Sequence, residues 1–272
     1  MMYIDPEITT WLKGLIPLDI ADLPGARRAS ASNQAGATCE GTHDGEMKIM
    51  GSGPRVIFNI HGGGFVLGST TSDDPENALL IRELGVTVVS PEYELAPENP
   101  YPGPLTQCCK ALQRVVRELD PHPIIMGHSA GGGLAAMVTQ WALKNDIAPA
   151  AQVLIEPEVD PTLSTQSMQM YALGPVWTAA NGRLSWDYLL GGKELTIPAG
   201  QAPQTYVVVN QSDPLRDEGV NYALALADAG TPVTLKMYPG TTHGSMSCLT
   251  AGVTTHAYDD LIAFIRQVLQ ES

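Results

Sequence analysis

From Arg55 onward the chain keeps one rhythm, and that rhythm restricts the fold more than any single residue does. Short apolar, β-branched runs at residues 56–60, 86–90, 124–126, 152–155, 206–209 and 233–238 read as six strands. Between them lie helical periodicities at 78–84, at Leu105, Cys109, Leu112, Val116 and Leu119, at Leu134, Val138 and Trp141, at 184–190, at Val220, Leu224 and Ala227, and at Leu261, Ile262, Ile265, Val268 and Leu269. The strands are apolar throughout rather than at every second residue, which is the pattern of a sheet covered on both faces. Alternation of such strands with helices predicts a mostly parallel sheet flanked by helices, an α/β fold.

The first 45 residues break this rhythm and read as an N-terminal cap segment, leaving 46–272 as the α/β domain. Ile8, Trp11, Leu12 and Leu15 form a short amphipathic helix that either covers a site as a lid or simply covers the sheet edge; residues 29–45 are small, polar and Gly-rich, and 47–50 reads as an edge strand. A second interruption runs from 157 to about 202, with one clear helix and the residues Val176, Trp177 and Trp186, which suit either a pocket wall or core.

Composition bounds the partners. A formal charge of −14 without a run of Lys or Arg repels nucleic acids and anionic membranes, so the expected ligand is neutral or cationic. No apolar run reaches the eighteen or so residues of a spanning helix, and residues 1–10 carry neither a basic nor an apolar signal region, which makes the cytoplasm the expected compartment. Cys39, Cys108, Cys109 and Cys248 have no C-x-x-C spacing and read as reduced structural thiols.

In a doubly wound sheet the reactive groups gather beyond the carboxyl ends of strands, so the residues after each run matter most. After 124–126 comes Gly127-His128-Ser129-Ala130-Gly131, a G-x-S-x-G turn between strand and helix, where glycines on both sides let the backbone close sharply around an outward-facing serine. After 56–60 comes His61-Gly62-Gly63-Gly64-Phe65, a loop stripped of side chains whose N–H groups suit an anion. After 206–209 comes Asn210-Gln211-Ser212-Asp213, and after 233–238 comes Pro239-Gly240-Thr241-Thr242-His243. The order Ser129, Asp213, His243 supplies a weak nucleophile, the acid that orients its base, and the base itself; Gly62, Gly63 and Ala130 supply oxyanion donors. Asp217 is a second candidate acid, disfavoured because helical periodicity has begun there. Glu156, Glu158 and Asp160 follow a strand and suit either acid–base or metal chemistry, but Pro157 and the lack of a spaced histidine favour a loop-anchoring role; His43, His122 and His256 sit in no motif.

His61-Gly62-Gly63-Gly64-Phe65, the segment Tyr93-Glu94-Leu95-Ala96-Pro97-Glu98-Asn99-Pro100-Tyr101-Pro102, Gly127-His128-Ser129-Ala130-Gly131-Gly132 and Asp213-Pro214-Leu215-Arg216-Asp217-Glu218-Gly219 together resemble the hormone-sensitive-lipase family of α/β-hydrolase carboxylesterases over about residues 55–270. The resemblance implies the α/β-hydrolase fold, hydrolysis of short to medium acyl esters through an acyl-enzyme, no cofactor, no metal, a helical N-terminal cap, and the triad and oxyanion roles just named. A small-molecule ester is the implied partner, the same machinery would serve an amide or formamide, and the final helix and last strand offer an edge for a homodimer. A related plant hormone receptor has lost the histidine that this chain retains as His243. The candidate substrate-contacting residues are Phe65, His128, Trp11 and Leu215. The chain departs from the family at His128, at Glu94, at Ser245 and in its short N-terminal region, departures that bear on substrate preference rather than on reaction type.

Overall fold

The computed structural model describes residues 3–34 and 39–271; residues 1–2, 35–38 and 272, parts of the cap segment and the last position, lie outside it. In chain order the described elements are α1 (Pro6–Leu12), α2 (Leu23–Asn33), β1 (Thr42–His43), β2 (Met47–Met50), β3 (Val56–Ile60), α3 (Asp74–Leu84), β4 (Thr87–Pro91), α4 (Gly103–Glu118), β5 (Ile124–His128), α5 (Ala130–Lys144), β6 (Ala151–Ile155), α6 (Gln166–Met170), α7 (Ala179–Leu190), β7 (Thr205–Asn210), α8 (Arg216–Asp228), β8 (Val233–Tyr238) and α9 (Gly252–Glu271).

Eight strands form one sheet in the order β1-β2-β4-β3-β5-β6-β7-β8, antiparallel at β1 and β2 and parallel from β4 onward. The winding reverses at β3, which pairs with β4 on one side and with β5 on the other. That reversal opens a crevice at the carboxyl ends of β3 and β5, where the glycine loop and the serine turn both emerge.

Every residue of β3 to β7 is buried, in keeping with their unbroken apolar runs. The two-residue strand period sorts them between two cores. Val56, Phe58 and Ile60 pack with α4, α5 and α8 residues such as Leu112, Leu134 and Leu226, while Ile57, Val88 and Met126 pack on the other face with Leu80 of α3 and Leu261 and Ile265 of α9. β8 departs from the expected pattern: as the sheet's last strand it alternates, leaving Leu235 and Met237 exposed.

The cap segment differs from its sequence reading. α1 stops at Leu12, and a second helix, α2, occupies 23–33, its last five residues falling in the stretch 29–45 read as small, polar and Gly-rich. Its sequence, LPGARRASASN, has almost no apolar stripe, so periodicity misses it; Pro24 at its start and docking through Arg27 hold it. Arg27 forms a two-pronged pair with Glu98 at 2.8 and 2.7 Å and donates to the Val66 and Ala96 carbonyls at 3.0 and 3.1 Å. α1 is tied at the other side, through Asp5 N–H to the Gly240 carbonyl at 2.9 Å and Gly252 N–H to Glu7 at 2.7 Å. Both helices therefore sit across the carboxyl-end crevice. The interruption at 157–202 likewise holds two helices, α6 and α7, with Trp177 and Trp186 both buried.

Candidate active site

The serine turn is built from close backbone contacts. A Cβ at Gly127 would meet the Gly131 carbonyl oxygen at 2.1 Å, and one at Gly131 would meet the Ile60 carbonyl oxygen at 2.1 Å, so both positions admit glycine alone. Between them Ser129 adopts φ 52° and ψ −121°, a conformation that L side chains rarely take, held by its N–H on the Ile155 carbonyl at 2.8 Å. The hydroxyl is thereby lifted clear of both strand and helix.

Ser129 Oγ lies 2.9 Å from His243 Nε2, and His243 Nδ1 lies 2.9 Å from Asp213 Oδ2. With Nδ1–H donating to the carboxylate, Nε2 is left to accept the serine proton. Asp213 is itself held by the Leu215 N–H, 2.8 Å from its Oδ1. Asp217 is turned elsewhere: it accepts from Ser167 N–H at 2.7 Å and pairs with Arg216 at 2.7 Å. The structure thus brings together the three residues singled out as a triad and leaves the second candidate acid outside.

The glycine loop lies against this serine, a Cβ on Gly62 falling 3.3 Å from Ser129 Cβ. No hydrogen bond among the described residues uses the N–H groups of Gly62, Gly63 or Ala130, so all three are available as donors. Two residues of the quoted motifs, given no role of their own from the sequence, hold the loop. Tyr93 stacks on His61 with ring centroids 4.2 Å apart and donates to the His61 carbonyl at 2.9 Å, while His61 Nδ1 sits 2.8 Å from the Gly62 oxygen. Burial pushes His61 down to about 4, so it is a neutral structural group near pH 7.

Ser129, His243, Gly62 and Gly63 line a cavity of about 250 Å³, shared with Trp11, Leu15 and Leu18 from the cap, Trp177 and Val176 from the 157–202 segment, and Asp73, Glu76, His128 and Glu156. Of the four residues expected to contact substrate, Trp11 and His128 line this cavity. Phe65 and Leu215 do not. Phe65 is fully buried against Trp186, centroids 4.9 Å apart, and Leu215 is buried in the same core just before α8; proximity in sequence to a motif does not fix the direction of a side chain. Gly64, Leu67 and Trp177 take the places on the wall. His43, His122 and His256 lie away from the cavity, as ordinary histidines.

Glu156 and Glu158 do anchor loops, and Glu156 does more. Glu158 accepts from Ser185 at 2.8 Å, and Asp160 caps its own turn by accepting from Thr162 N–H at 2.9 Å. Glu156 Oε2 accepts from Gly244 N–H at 2.9 Å and from the Asn210 amide, which places a second buried carboxylate beside the histidine. Glu156, Asp213 and His243 offer ligand atoms within 4.8 Å of one another, but both ring nitrogens of His243 are committed to Ser129 and Asp213, so the cluster reads as a charge network. Burial pulls the imidazole down, yet Asp213 and Glu156 together outweigh it and bring His243 up to about 9; burial likewise lifts Glu156 to about 7.

A carboxylate near an imidazolium raises its pKa, so removing one lowers it. Glu156→Gln is expected to move the acid limb of the kcat/KM profile down by about one pH unit, because the neutral, base-competent histidine then appears at lower pH. A pH–rate profile of the variant beside the wild type checks this; an unmoved limb would confine Glu156 to anchoring Gly244.

The strand order, the serine turn, the glycine loop and the hydrogen-bonded triad are those of an α/β hydrolase. A model of the α/β-hydrolase fold family matches residues 57–247, and the chain belongs to that family. The chain is similar to the ethyl acetate hydrolase of Pseudomonas putida, 29% identical over 239 residues covering 79% of this chain and 73% of that protein. It is similar also to the carboxylic ester hydrolase LipN of Mycobacterium tuberculosis, 31% identical over 243 residues covering 79% of this chain and 64% of that one. The chain thus spans about two thirds of the length of these curated relatives. Among solved structures a bacterial heroin esterase superposes with a TM-score of 0.87 at 36% identity, covering 98% of each chain. These relatives are ester hydrolases by name, in agreement with the resemblance read from the motifs. No helix among the described residues is long and apolar enough to cross a membrane.

Proposed function

We propose that the chain is a serine carboxylesterase that cleaves esters of short to medium acyl chain through an acyl-enzyme on Ser129. The observation that carries this reading is the unbroken line from Ser129 Oγ through His243 to Asp213, at 2.9 Å in each step, with the serine and the histidine on the wall of the cavity. His243 Nε2 takes the serine proton as Oγ attacks the ester carbonyl. The N–H groups of Gly62, Gly63 and Ala130 receive the developing oxyanion. His243 returns its proton to the leaving alkoxide, then activates a water that releases the acid, with Asp213 stabilising the imidazolium in both half-reactions.

A volume of about 250 Å³ supports compact substrates, since typical drug-sized ligand sites begin near ~300 Å³. In a p-nitrophenyl series from acetate to palmitate, kcat/KM is expected to peak at short acyl chains and fall by at least about tenfold beyond roughly eight carbons. Labelling with a fluorophosphonate is expected to stop turnover at one equivalent. Absence of both hydrolysis and labelling would overturn the reading; a maximum at palmitate would overturn the chain-length part of it.

A further inference from the structure

The chemistry above leaves one wall of the cavity unused. Asp73 and Glu76 line it from the start of α3, and no Lys or Arg is among the described residues that line the cavity. Glu76 is 2% exposed; its carboxyl draws on its own backbone N–H and on the Ser247 hydroxyl, and Oε2 is left with no hydrogen-bond partner. His128 lines the same cavity with Nε2 also unpartnered.

The cations nearby are committed or absent. Lys48 is spent on Asp74, 2.6 Å away in a buried pair, and among the described residues the Asp73 carboxyl accepts from the Asn59 amide at 3.3 Å. Burial pushes His128 down to about 4, so it brings no positive charge near pH 7. Burial raises both Asp73 and Glu76 to about 7, and a positive charge brought into the cavity favours their ionised forms and offsets the cost of the unpartnered Glu76 oxygen. Trp11 and Trp177 add ring surface to the same walls, a surface that suits an alkylated ammonium.

We propose that Asp73 and Glu76 form an ammonium subsite of the catalytic cavity, so that the preferred substrates are esters carrying a cationic nitrogen. This rests on the esterase reading for turnover, though not for binding. The chain's formal charge of −14 favours the approach of cations over anions to the protein as a whole.

The test pairs each cation with its carbon isostere. For turnover the pairs are acetylcholine against 3,3-dimethylbutyl acetate, and p-nitrophenyl 4-(trimethylammonio)butyrate against p-nitrophenyl 5,5-dimethylhexanoate. For binding the pair is choline against 3,3-dimethylbutan-1-ol, measured by calorimetry on the full chain. The cationic member is expected to be favoured by about ten- to a hundredfold in binding and in at least one ester pair, and Glu76→Gln to bring that ratio close to one. The ratio is internal to each protein, so a general loss of activity in the variant does not mimic the result. Should the variant fail to fold, the wild-type ratios alone decide. Choline binding no tighter than its isostere, with both esters of each pair hydrolysed equally, would overturn the subsite and leave the esterase standing. Selective choline binding with neither ester hydrolysed and no fluorophosphonate labelling would leave the subsite standing and remove the esterase.

Discussion

Ser129→Ala is expected to lower kcat on a short-chain ester by about 10⁴- to 10⁶-fold while leaving the fold intact. Among the described residues the side-chain hydrogen bond of the serine hydroxyl is to His243 Nε2, which lines the cavity, so a water can take the place of the hydroxyl. The strained backbone at φ 52° is imposed by Gly127, Gly131 and the Ile155 carbonyl, all of which remain. Alanine is no larger than serine, so the turn keeps its shape and the melting temperature is expected to move by less than about 3 °C. Nucleophile and base act as a unit, so Ser129→Ala combined with His243→Ala is expected to be little slower than either alone. Residual activity would come from Gly62, Gly63 and Ala130 still binding the oxyanion. Single-turnover and steady-state rates, read beside calorimetric melts, check both halves; a loss below about tenfold would remove Ser129 as the nucleophile.

The fold was legible because β3 to β7 are buried on both faces, and burial on both faces erases alternation. β8, at the sheet edge, is where the expected all-apolar pattern gives way to Leu235 and Met237 facing outward. The triad was legible for a related reason: a parallel sheet delivers the residues after its strands to one end, so three strand-following motifs converge without further information. Glu156 follows β6 and stood within reach of the same rule; Pro157 beside it read as a turn and drew attention to anchoring alone. Glu76 was out of reach, since an acidic residue in a helix's first turn is what any helix favours, and only the docking of α3 brings it to the cavity. Phe65 and Leu215 fail for the opposite reason. Both adjoin catalytic motifs, yet apolar side chains there serve the core, and sequence neighbours of a reactive atom point away from it as often as toward it.

The choice between Asp213 and Asp217 has a mechanistic consequence that the hydrogen bonds define. Asp213→Asn is expected to cut kcat by about 10⁴-fold at pH 7, more than loss of a charge alone would give. Asp213 Oδ1 accepts from the Leu215 N–H at 2.8 Å, so the asparagine oxygen is drawn to that donor and the amide nitrogen turns toward His243. An N–H donor facing Nδ1 stabilises the imidazole tautomer that carries its proton on Nε2, and that tautomer cannot accept from Ser129. Asp217→Asn is expected to stay within about threefold of wild type in kcat, because its bonds run to Ser167 and Arg216 and not to the histidine. Glu156 does not rescue the Asp213 variant: it is already tied through Oε2 to Gly244 N–H and Asn210. Rates of the two asparagine variants, measured from pH 6 to 10 with and without Glu156→Gln, separate the possibilities. If Asp213→Asn costs less than about a hundredfold and Glu156→Gln then restores the full loss, the second carboxylate has taken over the imidazolium. If the loss is full in both backgrounds, Asp213 alone sets the tautomer, and Glu156 acts on His243 only through its charge.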